Sequence, residues 1–157
     1  MVRFKSNTRL SSIKTSVILT QTDTTVGFVS QNHEKLANIK SRPASKPFIK
    51  VFNNFKTFLA CGNRIPSNKK NLVRRSKKTT FIVNNRAFRI TPQAKNSQIL
   101  RELIWSYSTS ANESNKNFDR EFCEDKADII IEDKNRLYER SSSTLLKINN
   151  NKKVRIR

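Results

Sequence analysis

With two cysteines, two glycines, four prolines, one histidine and one tryptophan in 157 residues, the chain has little material for several chemistries. Cys61 and Cys123 stand far apart and form no CxxC pair. That argues against a redox dithiol or a disulfide framework and predicts a reducing, cytosolic setting. With His33 as the sole histidine, structural zinc has too few ligands. No apolar run approaches the ~20 residues of a membrane span, so no membrane association is expected. The basic start (Arg3, Lys5, Arg9) leads into no apolar stretch before Val17, so a secretory signal is not expected either.

Acids are scarce as well, with 12 Asp and Glu against 32 Lys and Arg for a net charge of +20. The shortage is uneven. Residues 1–101 hold 21 cations opposed only by Asp23 and Glu34, while 102–148 hold ten acids and seven bases, and the last nine residues add four cations. Such a field favours polyanions. The stretch Lys69, Lys70, Arg74, Arg75, Lys77 and Lys78 is expected to touch RNA loosely, through phosphates and not base edges. A Lys-, Asn-, Ser- and Ile-rich, Gly-poor composition is also what an AT-rich coding sequence yields, so charge alone does not say which nucleic acid.

Hydrophobic residues make up 35% of the chain and ten are Phe, enough for the core of a single domain over 1–157. Val17–Thr20 and Thr25–Ser30 read as strands around a polar turn, and His33–Lys40 as a short helix. Pro47–Phe52 alternates as a strand, Phe55–Ala60 as a helix, and Leu72–Lys78 is basic and irregular. Thr79–Val83 and Ala87–Thr91 form a hairpin-like pair around Asn84-Asn85, because Asn tolerates positive φ. Ser97–Ile104 and Phe118–Lys126 read as amphipathic helices. Trp105–Thr109, Ala127–Glu132, Ser143–Ile148 and Val154–Arg157 read as strands. Interleaved elements of this kind predict an α/β fold, one domain with a twisted mixed sheet.

Four polar islands sit at the ends of these elements: Thr22-Asp23-Thr24, Lys40-Ser41-Arg42-Pro43, Ser108-Thr109-Ser110-Ala111-Asn112 and Ser143-Thr144. Loops after strands and helices present side chains to ligands. Hydroxyls, an amide and two cations in such places suit an anionic, polyoxygenated molecule such as a nucleotide.

In order and spacing, short motifs resemble the YrdC-like family, the threonylcarbamoyl-adenylate synthases of tRNA modification. Gln21-Thr22-Asp23-Thr24-Thr25-Val26-Gly27-Phe28 resembles P-T-[DE]-T-x-Y-G-L. Lys40-Ser41-Arg42-Pro43 followed by Lys46-Pro47-Phe48-Ile49 resembles K-x-R-P-x-x-[KN]-P-[LI]-[IL]. Thr80-Phe81-Ile82 and Phe88-Arg89-Ile90 are similar to T-F-[IV] and V-R-[IVM], Ser108 to Asn112 to [ST]-[ST]-S-A-N, and Ser143-Thr144 to a late S-T. The likeness runs from about Val17 to the end of the chain.

The resemblance implies a YrdC-like fold and a nucleotidyltransferase joining L-threonine, bicarbonate and ATP, with Mg2+, into threonylcarbamoyl-adenylate and pyrophosphate. It implies a catalytic tetrad of Lys40, Arg42, Ser110 and Asn112. Thr24, Arg89, Ser110 and Ser143 would contact threonine; Lys40, Arg42, Lys46, Asn112 and Arg157 would contact the nucleotide. Its implied partners are tRNA or double-stranded RNA and a downstream threonylcarbamoyl transferase complex. The chemistry suits the residues, since two anions must meet and fixed cations lower that barrier. Two residues apart on an extended segment, Lys40 and Arg42 can face one cavity. Val154 and Ile156 alternate with Arg155 and Arg157, so a strand whose apolar side is anchored would hold Arg157 at the nucleotide, with Arg155 as a substitute.

Some positions depart from the pattern. The family's W-P-G-P is Arg75-Ser76-Lys77-Lys78 here, its Tyr is Val26, and a His is Val51. Taken singly, K-x-R is equally a solvated basic turn, S-A-N a helix cap and Arg89 an exposed strand cation. Two alternatives follow: a plain RNA-binding module, or a catalytically weak or silent relative that binds RNA or nucleotide.

Overall fold

The computed structural model describes residues 1–5, 13–41, 47–91, 98–113 and 116–157. They form a ten-stranded mixed sheet in the order β1-β8-β2-β3-β7-β4-β6-β5-β9-β10. The central strands are β2 (Ile18–Gln21), β3 (Val26–Ser30), β4 (Ile49–Phe52), β6 (Arg86–Ile90) and β7 (Trp105–Ser110). The flanks are β1 (Val2–Phe4), β5 (Thr79–Val83), β8 (Ile129–Ile131), β9 (Thr144–Ile148) and β10 (Lys153–Arg155). Pairing is parallel for β2 with β8, β4 with β6, and β5 with β9, and antiparallel elsewhere. The helices are α1 (His33–Ile39), α2 (Phe55–Ala60), α3 (Lys70–Arg75), α4 (Gln98–Glu102) and α5 (Arg120–Lys126). None of the described helices is long and apolar enough to cross a membrane.

Two-residue alternation sorts the central side chains onto two faces. Leu19, Val26, Phe28 and Ile130 pack with Leu36 of α1 and Cys123 of α5. Their neighbours Ile18, Val29, Ile129 and Ile131 pack on the opposite face with Leu100 of α4. Strands covered on both faces read as continuous apolar runs, which is why Ile129–Ile131 is three isoleucines. A third cluster gathers the aromatics Phe52, Phe58, Phe81 and Phe88 under α2 and α3. The Phe58 and Phe88 rings lie 4.5 Å apart, close enough for favourable ring contact beyond area burial.

The Asn84-Asn85 turn forms as its composition requires, with φ of 48° and 60°. Phe81 faces Phe88 across the hairpin. Three elements differ from the sequence expectation. The stretch read as irregular is α3 over Lys70–Arg75, after a 3-10 turn at Ser67–Lys69. Burial of Val73 against the Phe cluster supplies the helix with stability that its crowded cations oppose. Strand β1 carries no core pattern because all its residues are exposed. It is held by pairing with β8 and by an Arg3–Glu124 ion pair at 3.0 Å. The last strand starts at Lys153, and Val154 and Ile156 are half exposed, so no apolar face anchors the tail.

Candidate active site

A cleft of about 270 Å³ lies where the β2–β3 turn, the end of β7 and the chain terminus converge. Thr24, Arg89, Ser110, Ser143 and Arg157, dispersed over the sequence, all line it. Lys40 and Asn112 are bound to Ser110 at its edge, whereas Arg42 and Lys46 lie outside the described residues.

One end is built on Arg89. Alternation along β6 sends Phe88 into the aromatic cluster and Arg89 to the other side, where it is only 5% exposed. It is therefore not the exposed strand cation that alternation alone allowed. Its Nη1 donates to Thr24 Oγ1 at 2.8 Å and lies 3.1 Å from Asp23 Oδ1. The ion pair is close but poorly aligned: neither Asp23 Oδ1 nor the buried Arg89 Nε has a hydrogen-bond partner. Burial pushes the guanidinium pKa down, Asp23 opposes the shift, and the Arg157 guanidinium adds to it. Two guanidinium groups thus line one cleft, and Asp23 pairs with the Arg89 member. Thr22 shares the turn, its Oγ1 lying 3.2 Å from Thr24 Oγ1 and donating to Thr25 O at 2.6 Å.

The other end is built on Lys40, the C-cap of α1. The sequence pattern ends the helix at Lys40 and expects an extended exit from it; Lys40 does close the helix with a helical backbone (φ −87°, ψ 0°), but Ser41 turns left-handed at φ 44° instead of running on extended. The residue is 6% exposed. Its ammonium donates to Asn112 Oδ1 at 2.7 Å, to Ser110 O at 3.3 Å and to Asn112 O. Ser110 Oγ donates to the same Asn112 Oδ1 at 2.7 Å, and Asn112 Nδ2 donates to Lys116 O. Lysine, hydroxyl and amide form one cradle with fixed orientation.

Near the terminus, Ser143 is buried and its Oγ lies 2.9 Å from Thr80 Oγ1. Arg157 is tied down by backbone and not by apolar packing. Leu145 N–H donates to Arg157 O at 2.9 Å, Ile156 N–H donates to Leu145 O at 2.8 Å, and Arg157 Nε reaches Ser143 O at 3.4 Å. Arg155 sits exposed on β10, outside the cleft lining.

Sequence reasoning assigned no role to Asp23, Gly27 or Thr80. Asp23 carried a signal: it is one of two acids among the first 101 residues. Gly27 is needed for close approach, since a Cβ there would stand 2.9 Å from Thr109 O and 3.0 Å from Thr22 Cγ2. Gly27→Ala is expected to cost about 1–3 kcal/mol of stability by forcing β3 off β7 at the cleft wall. Urea denaturation measures this, and an unchanged midpoint would show that the two strands separate freely. The cysteines stay outside the site: burial raises the Cys123 thiol to about 11, leaving it protonated at neutral pH, and Cys61 is exposed.

No protein-family model and no curated protein matches the sequence. Solved structures do match. P. abyssi Sua5 complexed with L-threonine aligns at a TM-score of 0.70 and 20% identity, over 90% of this chain and 50% of that one. E. coli YciO aligns at 0.70 and 18% identity, over 94% and 85%. Full-length HypF in its phosphate- and nucleotide-bound form aligns at 0.75 and 13%, over 100% and 25%. The chain has the YrdC-like fold that its motifs implied. It spans about half the length of the Sua5 chain.

Proposed function

We propose that this chain is a threonylcarbamoyl-adenylate synthase, a nucleotidyltransferase supplying the N6-threonylcarbamoyladenosine modification of tRNA. The observation that carries the reading is Arg89, buried in the cleft wall with an unpartnered Nε and a second guanidinium nearby. A buried donor without a partner costs about 1–3 kcal/mol. A ligand carboxylate offsets that cost, and the neighbouring hydroxyls of Thr24 and Ser143 suit threonine. That the Sua5 structure holds L-threonine and the HypF structure a nucleotide supports placing the same two ligands here.

In this reading the threonine amine adds to bicarbonate with loss of water, giving a carbamate. A carbamate oxygen attacks the α-phosphorus of ATP, and the bond to the bridging oxygen breaks to release pyrophosphate. The Lys40 ammonium, fixed at the Ser110–Asn112 corner, offsets charge growing on the α-phosphate oxygens without having to reorient. Arg157 contacts the nucleotide from the cleft lining, and the motif resemblance gives Arg42 and Lys46 the same role. Mg2+ bound with ATP would supply neutralisation of the polyphosphate charge. Among the described residues no cluster of His, Cys, Asp and Glu would hold a metal unaided. A downstream transferase complex would then consume the product.

The test is incubation of the chain with ATP and Mg2+, with and without threonine and bicarbonate. Pyrophosphate release that requires both, with threonylcarbamoyl-adenylate detected by mass spectrometry, is the expected result. Nucleotide binding with no such release would leave the silent relative as the answer.

A further inference from the structure

A second, larger opening of about 520 Å³ is lined in part by Asp23, the ion-pair partner of Arg89 in the cleft wall. Phe55, Arg74, Arg75, Lys77 and Lys78 line it. Helix α3 ends in Arg74 and Arg75, and Lys77 and Lys78, the latter with a left-handed backbone (φ 48°), follow it along the same rim. The Arg74 guanidinium stacks over the half-buried Phe55 ring, 4.4 Å from its centroid. Among the described residues, none of these four cations takes part in an ion pair. Fold stability does not ask for them, because Val73 is the residue that α3 buries. Four cations without ion-pair partners around a groove, whose one carboxylate, Asp23, is committed to Arg89, repel one another until an anion enters.

Solvated cations alone would say only that polyanions are welcome. The ring adds shape. A flat aromatic–guanidinium platform beside a basic rim fits an unpaired base with its phosphates, since every base offers a stacking face. A duplex keeps those faces covered. We propose that this groove binds single-stranded RNA, one base stacking at Phe55–Arg74 and successive phosphates meeting Arg75, Lys77 and Lys78. Contact thus includes base stacking as well as the phosphate contacts that the sequence suggested. The groove's proximity to the cleft would keep RNA beside the reaction site. The proposal stands on the groove alone and does not depend on the synthase reading.

The experiment is fluorescence anisotropy of the full chain with a labelled, unstructured RNA of about a dozen nucleotides, and with a duplex of the same sequence. The single strand is expected to bind more tightly, with log affinity falling against log salt at a slope of about −2 for three phosphates. Lys77→Gln with Lys78→Gln should flatten that slope by about 1.4, at roughly 0.7 per phosphate. Lys152→Gln with Lys153→Gln, an equal charge loss on exposed residues elsewhere, should leave it unchanged. Phe55→Leu, which keeps an apolar side chain against the Phe cluster, should weaken single-strand binding roughly fivefold or more at an unaltered slope. Arg74→Gln, which leaves Phe55 in place, should weaken it in the same sense. Equal affinity for duplex and single strand would overturn the proposal. So would an equal loss in the Lys152/Lys153 variant, or no binding at low salt. Threonine-dependent pyrophosphate release in the Lys77/Lys78 variant reports separately on the synthase reading.

Discussion

Arg89→Met is expected to abolish threonine-dependent turnover and to destabilise the fold, and the two effects separate in a double variant. The guanidinium is 5% exposed and stands 3.1 Å from Asp23. Without it Asp23 is a largely buried carboxylate with no counter-charge, a situation that costs about 3–5 kcal/mol. Arg89→Met with Asp23→Asn removes both charges and should recover most of that loss. Turnover should not recover, because the threonine carboxylate still lacks its partner. Thermal melts and pyrophosphate release measured on both variants decide the matter. A double variant that regains stability and activity together would make Arg89 a structural residue and move threonine elsewhere.

Lys40→Ala should slow pyrophosphate release about a hundredfold or more, as removal of one fixed electrostatic stabiliser commonly does. Structural consequences come with it. At 6% exposure, Lys40 donates to Asn112 Oδ1 and two carbonyl oxygens in a part-buried corner, so its loss removes those bonds and costs about 1 kcal/mol or somewhat more. Rates therefore need to be read well below the melting temperature of the variant. Lys35→Ala serves as the comparison, since Lys35 lies on the same helix but reaches outward to Asp128 at 3.5 Å. Lys35→Ala should keep its rate. Near wild-type activity in a folded Lys40→Ala protein would remove the lysine from the chemistry.

How much could be read beforehand depends on whether a feature is local. Asn84-Asn85 between two apolar runs specified its hairpin, because only a few residues accept positive φ without strain. Helix α2 runs over Phe55–Ala60 as its pattern required, with Asn54 Oδ1 accepting the Thr57 N–H as its cap. The short motifs around Thr24, Lys40, Arg89, Ser110 and Ser143 indicated which side chains to watch, and all but Lys40 line one cleft, with Lys40 bound to its Ser110 edge. Helix α3 and strand β1 escaped, for opposite reasons. The first is stabilised by burial of Val73 under distant phenylalanines, and the second has no buried face and rests on Glu124 and β8.

What the sequence determined alone was chemistry by residue type: few thiols and imidazoles, a strong surplus of cations, and hydroxyl-rich turns after strands. Tertiary structure decided the states of those groups. It buried Arg89, which alternation could not distinguish from a surface cation, and aimed it at Thr24 and Asp23 from 65 residues away. It buried Lys40 at the end of its helix, and it secured Arg157 by backbone pairing with Leu145 while leaving Val154 and Ile156 in solvent. Charge and hydrogen-bonding capacity belong to the residue itself. Burial and partners depend on contacts between segments far apart in the chain, and those exist only once the sheet has assembled.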